Sequence, residues 1–430
     1  MSEEIFPPSP ALVVWLKEHA IPFSSTQPGN GFTDLQPLKQ IIGDARIVAL
    51  GEGTHGTHEF FTMKHRLLEF LVKEMGFTLF AIEAAWAEAN LINEYVHTGK
   101  GDPAQLLAGL CFWTWNTQEV LDMILWMRAY NEQEGNTRKV SFFGCDMQAF
   151  HIAMDNVLAY LQKVDPEKVA TVEALYATWR SYRSRIHEYD DEPPLVRAQC
   201  RENLQRVYDI LLMHRFTYEA LSSSEEYALA RQSARVVLQS EEVFSADDYA
   251  KRDRYMAENV SWLLEQAGAD AKIVLWAHNG HVSTDAYHYG YKSMGSYLRE
   301  RYREKMLVWG FCFYQGSFNA IDIDRHKLLA HRAALPPGNS YEHLFHQAGL
   351  PCMFLDLRTV KAGSSVTDWL SGPHSLRSVG AGYADSWPEH CFYSSRLPNE
   401  FDGIIYLQDT TPSRLLSSNG GAVKRSEPLL

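Results

Sequence analysis

Two patterns of hydrophobic spacing alternate along the chain. Arg46 to Leu50 (RIVAL), Phe77 to Ile82 (FTLFAI), Val140 to Gly144 (VSFFG) and Ile273 to Trp276 (IVLW) are short, unbroken apolar runs rich in β-branched and aromatic residues. They are too short for buried helices, so each predicts a strand covered on both faces. Met306 to Phe313, Met353 to Leu357 and Ile404 to Tyr406 extend the set. Between the runs, apolar positions recur at helical spacing in Ala11 to Ala20, Glu59 to Met75, Ala84 to Val96 and Thr117 to Tyr130. Buried strands alternating with helices imply parallel pairing through right-handed crossovers.

From Ala149 to Ala267 the strand signal disappears. Apolar residues keep helical spacing, and Pro and Gly are nearly absent except around Pro193-Pro194. The expectation is an α/β fold: a parallel-sheet, three-layer core with a large helical insertion. Residues 1–148 form the first part of the core, 149–267 the insertion and 268–416 the second part. Residues 417–430 read as a disordered polar tail.

Composition narrows the partners. The 430 residues are 46% hydrophobic and 22% charged, an ordinary globular balance. A net charge of −13 repels phosphate backbones and anionic lipid, so no nucleic acid or membrane partner is expected. No apolar run is long enough to span a bilayer. The start, MSEEIFPPSP, lacks the basic and apolar stretches of a secretory signal, so a cytoplasmic location is expected. Aromatics at 12% suit a pocket for a bulky small molecule and a well-filled core equally. None of the six cysteines forms a CxxC, which argues against a zinc ribbon or redox pair.

The chemistry gathers just after the strands. Glu52 and His55 follow the first, Glu83 the second and Asp146 the third, while His278, Asn279 and His281 follow IVLW. In an open parallel sheet these ends converge on one edge, where ligands bind. The set offers imidazoles and carboxylates without a nucleophile. There is no GxSxG elbow, and Gly51–Gly56 lacks the Lys-Ser/Thr ending of a phosphate loop. Two catalytic readings stay open: water activated directly by a histidine, or water bound to a metal held by His55-x-x-His58 or His278-x-x-His281. A non-enzymatic reading stands beside them, with two histidines as axial ligands of a bound heme.

Longer segments carry a resemblance. GEGTHGTHEFF (Gly51 to Phe61), FAIEAAWAEA (Phe80 to Ala89), VSFFGCDM (Val140 to Met147), RDRYMAENV (Arg252 to Val260), IVLWAHNGHV (Ile273 to Val282), MGSYL (Met294 to Leu298) and FDGIIY (Phe401 to Tyr406) resemble the erythromycin esterase family. The order matches over nearly the whole chain. The resemblance implies a hydrolase that opens macrolide lactones, a resistance activity, without a required metal or other cofactor. Some relatives carry a succinoglycan-biosynthesis label. The resemblance makes His55 the general base, with Glu52, Glu83, His278 and His281 as the other catalytic candidates. Of the two later histidines, one is expected in the chemistry and one as a satisfied core residue. Lys64 stands where some members carry Arg and is a candidate substrate contact. Trp113, Trp115 and Asp146 complete the candidate substrate-binding set. Arg252 and Asp253 are expected to form a structural pair between insertion and core.

Overall fold

The computed structural model describes residues 8–110, 112–245, 249–285, 290–360, 363–364 and 367–417. The segment 418–430, almost all of the expected tail, lies outside the described residues, as does Cys111. The strands in chain order are β1 (Ile21–Pro22), β2 (Ile47–Leu50), β3 (Leu79–Ala85), β4 (Ser141–Asp146), β5 (Ile273–Trp276) and β6 (Met306–Asp322). They continue with β7 (Lys327–Arg332), β8 (Cys352–Asp356), β9 (His374–Arg377), β10 (Gly382–Tyr383), β11 (Phe392–Ser395) and β12 (Gly403–Thr410).

The main sheet runs β1-β8-β12-β6-β2-β5-β3-β4. From β12 to β4 every neighbouring pair is parallel. The sheet is mixed beyond that: β8 lies antiparallel to β12, β1 antiparallel to β8, and β7 folds back on the second half of β6. The chain is thus an α/β protein whose parallel centre carries an antiparallel edge.

Side-chain alternation explains the layering. Along β2, β3 and β5, Ile47, Ala49, Leu79, Ala81, Ile273 and Leu275 enter one hydrophobic core. Val48, Leu50, Phe80, Ile82, Val274 and Trp276 enter the other. Successive strand residues point to opposite faces, so continuous apolar runs feed two cores at once. The second core is closed by helices His58–Met75, Trp86–Thr98 and Gln118–Glu132, through residues such as Leu67, Ile92 and Met127.

Between β4 and β5 the chain is helical: His151–Val164, Pro166–Ser181, Pro194–Met213, Arg215–Leu221, Ser224–Phe244 and Tyr249–Ala267. Leu161, Tyr176, Leu204, Val237 and Met256 from these helices join the first core, so this stretch packs onto the sheet. Among the described residues no helix is long and apolar enough to cross a membrane.

Candidate active site

The reactive side chains meet at the carboxyl ends of β2, β3, β4 and β5. After Leu50 the chain turns through Gly51–Thr57 into the His58–Met75 helix. Two glycines allow the tight approach: a Cβ on Gly51 would lie 2.1 Å from Asn279 Oδ1, and one on Gly56 2.1 Å from the Asn319 carbonyl oxygen. Asn279 locks the turn's neighbour in place, donating to the Phe311 carbonyl at 2.9 Å and accepting from the Phe311 amide at 3.1 Å.

This turn presents Glu52 and His55 side by side. Glu52 Oε1 accepts from His55 Nδ1 at 2.7 Å. A carboxylate only accepts, so the partner assigns the proton to Nδ1 and leaves the lone pair on Nε2. The other oxygen, Oε2, accepts from Lys64 Nζ at 2.6 Å and from the Trp276 indole at 2.7 Å. Burial opposes charge on Glu52, but Lys64 and then His55 hold its carboxyl below the usual range. Burial also pulls Lys64 down to about 8, against the pull of Glu52.

Glu83 lies inside β3, where the register with β4 slips between Ile82 and Ala85. Its Oε2 accepts from the His278 backbone amide at 2.9 Å. Its Oε1 lies 2.8 Å from Arg252 Nη2 and 3.2 Å from His281 Nε2. Arg252 also donates to Asp146 Oδ2 at 2.7 and 3.1 Å. Burial works against charge on Glu83, but His281 and Arg252 keep it well below the usual carboxylate range.

The two later histidines differ sharply. His278 accepts from the Gly280 amide through Nδ1 at 3.1 Å and donates from Nε2 to the Val379 carbonyl at 3.2 Å. Burial, with His55 and His281 nearby, pushes it down to about 3, so it is neutral and both nitrogens are used. Its ring stands 4.9 Å from that of His55. His281 donates from Nδ1 to Asp253 Oδ1 at 2.9 Å. Burial disfavours its charge, yet Asp253 and Glu83 outweigh burial and push it up to about 10. Arg252 Nη1 comes within 3.0 Å of His281 Nε2, beside the Glu83 carboxylate that both side chains share.

A pH test follows from His281. Its folded value of about 10 lies above the ordinary 6.5, so its charge stabilises the fold fully below pH 6.5. That contribution falls as pH rises and is gone once pH has passed 10. The melting temperature should drop across this alkaline window, and drop less in His281→Gln. Parallel curves for the two proteins would contradict the charged assignment.

The geometry turns the substrate contacts expected at Lys64 and Asp146 into internal ion pairs. Lys64 is 1% exposed on the inner side of its helix, and a buried ammonium needs a counterion, which Glu52 supplies. Asp146 is fully buried against Arg252. Trp113 and Trp115 are also buried. Trp115 donates to the Glu83 carbonyl at 2.8 Å and meets the His55 ring edge to face, with the ring centres 6.1 Å apart.

Arg252 and Asp253 do more than the expected link. From the start of the Tyr249–Ala267 helix, Arg252 reaches Asp146 and Glu83 while Asp253 reaches His281. The signal available in the sequence was the RDRYMAENV segment, whose paired charges sit on a helix rather than after a strand. The HxxH pair near the start is divided, since His58 turns to Glu119 at 2.5 Å. Among the described residues, one group of three ligand-type side chains is close enough to share a cation, Asp322, His331 and Asp385, and it contains none of these candidates.

A largely parallel sheet between helical layers, with a carboxylate-oriented histidine at the strand ends, defines an α/β protein. The chain belongs to the erythromycin esterase family, whose model, described as Erythromycin esterase, matches residues 72–410. The chain is 25% identical to erythromycin esterase type II of Escherichia coli, covering 94% of this chain and 98% of that protein. It is also 25% identical to the putative hydrolase YbfO of Bacillus subtilis, covering 94% and 92%. A crystal structure of a Bacillus cereus protein superposes with a TM-score of 0.86 at 30% identity, over 95% of this chain and all of that one. The family match begins beyond Glu52, His55 and Lys64, so their grouping rests on the geometry above.

Proposed function

We propose that the chain is an esterase that opens a macrolide lactone with water activated by His55. The observation that carries the reading is the Glu52–His55 pair, with the Nε2 lone pair of His55 left to accept a proton at the strand-end edge. In this mechanism, Nε2 takes a proton as the water oxygen attacks the lactone carbonyl. Glu52 fixes the tautomer and stabilises the imidazolium that forms. Arg252 and His281 supply fixed positive charge on the same edge for the developing oxyanion. The imidazolium then returns its proton to the alcohol oxygen as the ring opens. No acyl-enzyme forms, because no Ser or Cys is engaged.

His55 is 5% exposed, so a bulky ester requires the elements that cover it to move apart. Membership of the erythromycin esterase family favours the macrolide class over other bulky esters. Reaction in heavy-oxygen water should place one label in the new carboxylate and add the mass of one water to the macrolide. Hydrolysis of a simple aryl ester with no mass gain on any macrolide would leave only the general esterase.

A further inference from the structure

The β6–β7 hairpin and the strand beside it gather a set of ligand-type side chains that the mechanism above does not use. Asp322 closes β6, His331 lies on β7, and Asp385 follows shortly after β10. β10 runs parallel to the end of β6 and β7 runs antiparallel to it, so three strands bring these side chains to one point. One imidazole nitrogen and one oxygen from each carboxylate lie within 4.8 Å of one another. Ligand atoms held at about 2.0–2.2 Å from one ion stand no more than ~4.3 Å apart, so a small turn of Asp385 closes the set. Asp322 and His331 are both 2% exposed, while the Asp385 side chain is half exposed and free to turn.

Two observations point to a cation at this place. His331 Nδ1 meets Asp385 Oδ1 at 3.0 Å, but its Nε2 is buried and has no hydrogen-bond partner among the described residues. Folded interiors leave few polar atoms in this condition. The second observation is Arg325, on the turn between β6 and β7. Its Nη1 lies 2.9 Å from Asp322 Oδ2 and 3.9 Å from Asp385 Oδ2, so a cation of the chain itself already sits between the two acids. That side chain is 64% exposed, and its hold is the weak one of a surface ion pair. The Arg325 backbone amide donates to Asp322 Oδ1 at 2.6 Å, which keeps the carboxylate oriented when the guanidinium swings into water.

We propose that Asp322, His331 and Asp385 bind a divalent transition cation, Zn²⁺ or Mn²⁺, which displaces the Arg325 side chain. The donor set decides the class: an imidazole favours Zn²⁺ over Mg²⁺ and Ca²⁺, and two carboxylates admit Mn²⁺. The site holds none of the residues assigned to the chemistry and does not depend on the esterase reading. Its place in the fold gives it a bracing role. Just before Asp322 on β6, the Asn319 amide donates to the Gly56 carbonyl at 3.0 Å. Upstream of Asp385, the Val379 amide donates to the Gly53 carbonyl at 2.7 Å, and the Val379 carbonyl accepts from His278 Nε2 at 3.2 Å. Two of the segments that carry ligands thus hold the turn that presents Glu52 and His55. An ion that joins them restrains that turn from outside the reacting edge.

The test is calorimetric titration of the metal-free, full-length protein with Zn²⁺ and Mn²⁺, and with Mg²⁺ and Ca²⁺ in parallel. Wild type should take up one equivalent of Zn²⁺, and Mn²⁺ more weakly at the same place. Asp385→Asn should weaken Zn²⁺ by about tenfold or more, and Arg325→Ala should tighten it because a competing cation is gone. Asparagine at this half-exposed position still accepts from His331, so the variant should melt with metal-free wild type. Hydrogen exchange reads the brace: Zn²⁺ should slow exchange of the Val379 amide in wild type and leave it unchanged in Asp385→Asn. Three results would each overturn the site: no saturable equivalent, Mg²⁺ binding as tight as Zn²⁺, or Zn²⁺ binding that neither Asp385→Asn nor His331→Gln weakens. An ion that binds without slowing Val379 would overturn the bracing role.

Discussion

Changing His55 to glutamine should cut kcat by roughly 10²–10⁴-fold while leaving the melting temperature almost unmoved. The loss follows from the tautomer. Glu52 holds the proton on Nδ1, so Nε2 is the group that can take a proton from water. Glutamine can still donate an amide hydrogen to Glu52, but it has no nitrogen basic at neutral pH. Stability should survive because Glu52 keeps Lys64 and Trp276 on its other oxygen. Glu52→Gln should fall less than His55→Gln, since it loosens the tautomer without removing the base. The measurement is kcat on one ester beside a thermal melt. Near wild-type turnover in His55→Gln would move the base elsewhere on the edge. His278 is then the poorer substitute, with both nitrogens already bonded, and His281 is held as a cation.

The fold was legible where both faces of a strand are buried. RIVAL, FTLFAI and IVLW give β2, β3 and β5 because a continuous apolar run in a short segment fits little else. Direction was not legible at the edge. Cys352–Asp356 reads like any buried strand, and its antiparallel course beside β12 is set by the chain path, not by its residues. The run Met306 to Phe313 marks only the first half of β6. The rest, through Asp322, alternates polar and apolar residues in a hairpin with β7, with no buried run to announce it.

The site divides in the same way. Glu52, His55, Glu83, Asp146, His278 and His281 could be found because the carboxyl end of a buried parallel strand assigns the side chains in its last residues and just after it to one sheet edge, although β3 and β4 run on to include Glu83 and Asp146. Residues on helices carry no such marker. Lys64 faces inward because of what lies under its helix, namely Glu52 and the Trp276 ring at 4.3 Å. Arg252 and Asp253 arrive from a helix more than a hundred positions after Asp146 in sequence, and only the packing of that helix on the strand ends reveals their partners.

The second large effect is expected at Arg252, in stability first and activity with it. Arg252 is 3% exposed and joins the Tyr249–Ala267 helix to β3 and β4 through Glu83 and Asp146. Arg252→Met keeps much of the side chain's volume but strands two buried carboxylates. Removing one partner of a buried charge group costs about 3–5 kcal/mol, more than an exposed pair ever contributes. Denaturant melts of Arg252→Met should show a loss of that size. Arg252→Lys should recover part of it, since a single ammonium restores charge but not the fork that serves both acids. The decisive variant is Arg252→Met with Asp146→Asn. Asparagine removes one stranded charge, so the double variant should be more stable than Arg252→Met alone, even though Asp146→Asn destabilises the wild-type protein. A double variant whose losses simply add would show that Arg252 and Asp146 do not act together. Because Arg252 helps to hold the Glu83 carboxyl down, Arg252→Met should also let Glu83 take its proton at higher pH, and kcat should fall with the acid limb of its pH profile displaced upward.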